Sequence, residues 1–250
     1  MDSLVEFAKR LSRGGTLRTV ITLAVLTLFL KELPWFGWLF KPFRTFDFFL
    51  HELGHALTCL ATGGTVRWIK LGGGGITDCN GGDAVAIGQA GYLGQALLGS
   101  LLIIVSGRPK AANFILLFIG VAIGLVNLFF LKDKVSISWA FFLGAALVFA
   151  GLRVRQSWAH FIVLLLAVQT VLYVFADVEL VLEHSLGFLP QIPESDATHM
   201  ARLTGTPAFV WSIVWCVCSL GMLFLALYFS GRMSDDVEES GKSEPPQSVG

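Results

Sequence analysis

Apolar runs of about 20 residues recur along this chain and constrain its fold more than any other feature. Residues 87–106, 111–131, 135–152, 158–176 and 207–230 each approach the roughly 17–25 residues with which a helix crosses a bilayer. Lipid offers no hydrogen-bond partners, so a backbone at that depth must satisfy itself, and runs of this length do so as helices. Two more segments join them. Residues 19–30 are uncharged and follow Lys9, Arg10, Arg13 and Arg18, while residues 44–61 are apolar apart from a few polar side chains. The first resembles a signal peptide, but no small-x-small site follows at Lys31-Glu32-Leu33-Pro34, so it reads as a retained anchor. The expected fold is therefore an all-α polytopic membrane protein with about six to seven transmembrane helices. Residues 1–230 form one integral membrane domain, and 231–250, acidic and rich in Ser, Gly and Pro, form a disordered tail.

Composition agrees. Of 250 residues, 54% are hydrophobic and 14% charged, with a mean hydropathy of +0.71, which excludes a soluble domain. A formal net charge of zero argues against nucleic acid as a partner. Cys59, Cys79, Cys216 and Cys218 have no CxxC spacing and suggest no disulfide framework; Cys216 and Cys218 read as small apolar packing residues. Pro34-Trp35-Phe36-Gly37-Trp38, with Lys41 and Arg44, reads as an interfacial turn with aromatic anchors. The span at 87–106 is rich in small residues (Ala90, Gly91, Gly94, Ala96, Gly99), a pattern for close helix packing. Lysines and arginines divide evenly between the two sides of an alternating topology, so charge leaves the orientation open.

Within 44–61 stands His51-Glu52-Leu53-Gly54-His55. Residues four apart share a helix face, so His51 and His55 can turn both imidazoles to one ion. Two imidazoles suit Zn²⁺, and a catalytic zinc takes three protein ligands and leaves a position for water. Glu52 then stands where a general base is needed. The competing reading is a structural cluster, two histidines and a glutamate bonded to one another inside a bundle. Against it, two of only five histidines fall at metal spacing around a glutamate whose apolar setting makes an unpaired carboxylate costly. Thr58 and Ala61 stand where a longer metzincin motif has glycine and its third histidine, so a third ligand must come from elsewhere.

Two polar islands interrupt the apolar pattern. Residues 63–87 hold an alternating β-rich run (Thr65 to Leu71), the glycine run 72–75, then Ile76 to Cys79 and Asn80-Gly81-Gly82. Asn80-Gly81 between short β-prone runs is a hairpin-turn signal, so these residues read as a small β-hairpin offering an edge to an extended peptide, or as a flexible or re-entrant glycine-rich connection. No Gly-Lys-Ser/Thr follows the glycines, so this is not a phosphate loop. Residues 177–206 carry Asp177, Glu179, Glu183, His184, Glu194, Asp196, His199 and Arg202, and Pro193-Glu194-Ser195-Asp196 marks a helix start capped by Ser195. His160, at the edge of an apolar span, is assigned no role.

The chain resembles the site-2 protease family of intramembrane zinc metallopeptidases, in its short branch without a PDZ domain. His51-Glu52-Leu53-Gly54-His55-Ala56 within a hydrophobic segment carries the resemblance. The glycine-rich stretch after it, Ala90-Gly91-Tyr92-Leu93-Gly94 and Ser195-Asp196-Ala197 extend it over most of residues 45–230. The resemblance implies a zinc-dependent protease hydrolysing peptide bonds of membrane-associated substrates, with Glu52 catalytic. It also implies a third zinc ligand, an aspartate from a late segment, commonly in an Asp-Gly pair. No such pair occurs in the second half of this chain; Asp196, followed by Ala197, takes the role, with Asp177, Glu183 and His199 as rivals. The missing pair motivates a second reading, an inactive zinc-binding or metal-free membrane scaffold. A metal transporter is a third, disfavoured because the acids and histidines concentrate at one motif and one island. Oligomeric state, substrate and membrane of residence have no signal in the sequence.

Overall fold

The computed structural model describes residues 15–31, 33, 35–72, 74–188 and 195–243. The basic residues Lys9, Arg10 and Arg13, and also Pro34, Gly73, Pro193 and Glu194, lie outside that set. Among the described residues eight α-helices follow in order: α1 (Gly15–Lys31), α2 (Lys41–Ala61), α3 (Ala84–Ser106), α4 (Ala112–Phe129), α5 (Lys134–Arg153), α6 (Gln156–Ser185), α7 (Asp196–Thr204) and α8 (Ala208–Ser243). A hairpin of β1 (Thr65–Lys70) and β2 (Ile76–Asn80) sits between α2 and α3. Among the described residues, five helices are long and apolar enough to cross a membrane: α3, α4 with the short turn before it, α5, α6 and α8 up to Gly231. With α1, 17 residues long, and the motif helix α2, they make the seven hydrophobic segments of an all-α, multi-pass integral membrane protein.

The packing explains which faces meet lipid. Phe114, Phe118, Leu128, Phe141, Phe142 and Phe149 of α4 and α5 are exposed, an apolar surface far too continuous for water. Trp35 and Trp38, 84% and 69% exposed, occupy the expected interfacial turn before α2. Lipid is as apolar as leucine, so helices associate in it through close packing. In α4 and α5 a side chain at Gly120 would meet the α5 backbone at Val148 (2.7 Å), and one at Gly151 would meet Leu117 (2.7 Å). One core joins Phe46, Phe49 and Leu50 of α2 to Ile103 of α3, Leu116 and Ile123 of α4, and Val163 and Leu166 of α6.

The hairpin departs from its expected turn. The chain reverses through residues 71–75, where Gly74 and Gly75 have positive φ, while Asn80-Gly81-Gly82 leads out of β2 into α3. Asp83 caps α3 by accepting from the N–H groups of Val85 and Ala86. The hairpin is held near its turn: Ile69 N–H donates to Phe130 O (2.8 Å) and Leu71 N–H to Ser136 Oγ (2.8 Å) at the start of α5. Asp133, which caps α5, has its carboxyl held below the ordinary range: its slight burial pushes it up, but hydrogen bonds from Ser136 and the charge of Lys70 outweigh this.

Cys59 and Cys79 form a disulfide, which corrects the reading that the cysteines suggest no disulfide framework. Spacing hid the pair because the hairpin folds back onto the end of α2 and brings the two Cα atoms within 6.3 Å. Denatured without reductant, the chain should therefore take up two maleimides, at Cys216 and Cys218, and four after reduction; four labels without reductant would remove the disulfide. Towards the end of the chain α8 runs on to Ser243.

Candidate metal centre

The helix α2 carries His51, Glu52 and His55, and small residues let α3 lie directly on them. A side chain at Gly54, inside the motif, would collide with the backbone carbonyl of Ala90, and Gly94 lies against the Cα of Gly54. Gly91 is thereby laid over the two imidazoles; a β-carbon there would fall on the Nε2 atoms of both histidines. The small residues thus shape a space between α2 and α3 that a side chain would fill.

The third side is closed by α7. Ser195 caps it in a capping box with Thr198: Thr198 N–H donates to Ser195 Oγ (3.2 Å) and Ser195 N–H to Thr198 Oγ1 (2.9 Å). Asp196 follows as the first helical residue. Its Oδ2 lies 2.9 Å from His51 Nε2 and 3.4 Å from His55 Nε2, and the two nitrogens are 3.2 Å apart. Four ligands bonded to zinc at about 2.0–2.1 Å in a tetrahedron stand about 3.3 Å from one another. The three atoms have that spacing. Residues 145 apart in sequence reach it only because α7 packs on α3 through Met200, Ala197 and Tyr92. Of the rival acids, Asp177 is paired with Arg44 at 2.7 Å.

The protons on the rings are also placed. His55 Nδ1–H donates to the Ile87 carbonyl at 2.6 Å. His51 Nδ1–H donates to Gln95 Oε1 at 3.3 Å, and the Gln95 amide nitrogen is committed to Asp47, which leaves its oxygen for the histidine. In neutral rings both Nε2 atoms then carry lone pairs, aimed at each other and at a carboxylate oxygen. Three electron-rich atoms in mutual contact repel unless a proton or a metal cation lies among them. Two imidazoles and one carboxylate are a donor set that fits zinc.

Glu52 is 3% exposed and lies beside this set, its carboxylate within 4.8 Å of the histidine nitrogens. The hairpin holds it there: Thr77 Oγ1–H donates to Glu52 Oε2 (2.6 Å), and the other oxygen lies against Gly75. At Gly75 a positive φ of 82° and the absence of a side chain are both required. On the far side, Tyr92 stands edge-on to His51 (4.6 Å between centroids) and stacks on Trp215 of α8 (4.7 Å). Thr77, Gly75, Gln95 and Asp47 were not singled out from sequence. Only Asp47 had a local signal, one helical turn before His51 on the same face.

A polytopic helical membrane protein with a candidate histidine-pair metal site among its helices is the class that fold and site define. The family model described as Peptidase M50B-like matches residues 19–226, and the chain belongs to that family, among the site-2 proteases. No curated protein and no solved structure matches it. The matched region includes α2, the hairpin, α3 and α7, so every residue of the site described above lies within it.

Proposed function

We propose that this protein is a zinc-dependent metalloprotease that hydrolyses peptide bonds of membrane-associated substrates within or at the bilayer. One observation carries the reading: the Nε2 atoms of His51 and His55 and the Oδ2 of Asp196 converge at 2.9–3.4 Å, with Glu52 beside them. His51, His55 and Asp196 hold the ion, and Glu52 is the catalytic base. A zinc ion bound there would polarise the scissile carbonyl and make a water acidic at neutral pH. Glu52 accepts the proton of the attacking water and passes it to the leaving amine. Thr77 orients the Glu52 carboxylate, leaving one oxygen for that proton. The outer edge of β2 is unpaired among the described residues, and an extended peptide added there would pass close to Glu52. Convergence of the late acidic island on the motif favours this reading over a metal-free scaffold, for which the island had no reason to fold onto the histidines, and turnover separates it from an inactive zinc-binding one.

The test is hydrolysis of a membrane-spanning model peptide by the detergent-purified protein. Activity should disappear with 1,10-phenanthroline and return on adding Zn²⁺ after the chelator is removed. Hydrolysis that survives complete removal of metal would contradict the proposal.

A further inference from the structure

A chain of buried polar groups leads away from the histidines and takes no part in the proposed hydrolysis. Gln95 of α3 is completely buried, and so, at 1% exposure, is Asp47 of α2. The Gln95 amide nitrogen donates to Asp47 Oδ1, and Arg44 Nη1 donates to Asp47 Oδ2 at 3.1 Å. Arg44 also grips both oxygens of Asp177 on α6 at 2.7 Å. Its guanidinium lies over the rings of Phe48 (4.3 Å) and Tyr173 (4.9 Å), and Lys31 of α1 covers the other reach of Tyr173 at 3.9 Å. Charged groups at such depth are expensive, and packing alone would be served as well by leucines. The chain ends, on the metal side, at one atom: His51 Nδ1.

We propose that Gln95, oriented by Asp47 and Arg44, is a positioning residue that fixes the His51 tautomer with its Nε2 lone pair facing the metal. The inference rests on the proposed zinc site. The argument is one of donors and acceptors. An amide has one acceptor and one donor end, and left alone it could turn either towards a histidine. The Asp47 carboxylate is ion-paired with Arg44 and therefore accepts only, so it takes the NH₂ group of Gln95 and forces the oxygen towards His51. That oxygen in turn accepts only, so the His51 proton must reside on Nδ1. Arg44 holds the Asp47 carboxylate in place and connects it to Asp177 of α6, so the same polar chain braces α2, which supplies both histidines, against α3 and α6. His55 needs no such relay, because a main-chain carbonyl, Ile87 O, already fixes its ring.

The experiment measures zinc affinity of the full-length, detergent-purified protein by competition with a chromophoric chelator. Gln95→Leu keeps the bulk and removes the acceptor; its affinity should fall by about 10–100-fold, the usual cost of losing a partner that orients a ligand. Leucine also strands Asp47, so a second variant separates positioning from folding. In the double variant Gln95→Glu, Asp47→Asn the net charge is unchanged. Its new amide, on α2, would donate to the new carboxylate on α3, and that carboxylate would accept from His51. Zinc affinity should return close to that of the wild type. Gln95→Leu binding zinc as the wild type does would overturn the proposal, and so would a double variant as weak as Gln95→Leu. If Gln95→Leu does not fold, the double variant decides alone: affinity close to that of the wild type supports the proposal, and a loss of about 10–100-fold overturns it. A wild type that takes up no zinc would instead strike the proposed function, and this inference with it.

Discussion

Replacing Glu52 by glutamine should abolish peptide hydrolysis while leaving the metal in place. Glutamine has the same shape, its amide oxygen still accepts from Thr77, and none of the three converging ligand atoms belongs to it. What is lost is the ability to take a proton. General-base contributions are typically about 10²–10⁴-fold, so turnover in Glu52→Gln should drop by that factor or below detection. Zinc content and thermal stability should stay at the wild-type level. The check is paired: turnover of a membrane-spanning peptide beside metal content of the same preparation. Undiminished turnover would remove Glu52 from the reaction. Lost zinc would mean that its carboxylate is a ligand.

Gly91→Ala should abolish most metal binding without replacing a ligand. Gly91 is helical and its φ is ordinary, so alanine there brings no backbone strain and favours the helix by up to about 1 kcal/mol. Its methyl group, however, would fall on the Nε2 atoms of His51 and His55. The helix α3 is tied to α2 at Gly54 and Gly94, so relief must come from turning the rings or parting the helices. Either spoils the convergence with Asp196. Zinc affinity should fall at least as far as on losing an orienting partner, about 10–100-fold, while the metal-free protein stays folded. Competition with a chromophoric chelator and a melting curve of the metal-free form measure the two effects separately. Wild-type affinity would show that the space over the histidines is not where the ion sits.

Much of this was legible along the chain because it depends on local periodicity. The apolar runs marked the helices, since length and composition alone decide whether a segment can cross a bilayer. The pair His51 and His55 was visible because helical spacing converts a four-residue interval into a shared face. Ser195 as a cap was readable for the same reason, and it has the expected capping box. What the sequence withheld depends on contacts between distant segments. The Cys59–Cys79 bond needs the hairpin to fold back on α2, and no spacing rule encodes that. The hairpin turn falls in the glycine run rather than at Asn80-Gly81, because Leu71 is tied to Ser136 and the chain must reverse directly after it. Gln95 read as one more polar residue in a small-residue span, and its partners lie 44 and 48 residues away. The role of Asp196 came from family resemblance, whereas its nearness to the histidines is a property of how α7 packs on α3.

The most direct test of the whole account is the metal content of the purified protein, wild type beside Asp196→Ala and His55→Ala. The account predicts close to one zinc per chain in the wild type and loss in both variants, because each removes one of three ligands. Zinc retained in Asp196→Ala would contradict the three-ligand centre, and a wild type that binds no zinc even after reconstitution would contradict the account as a whole.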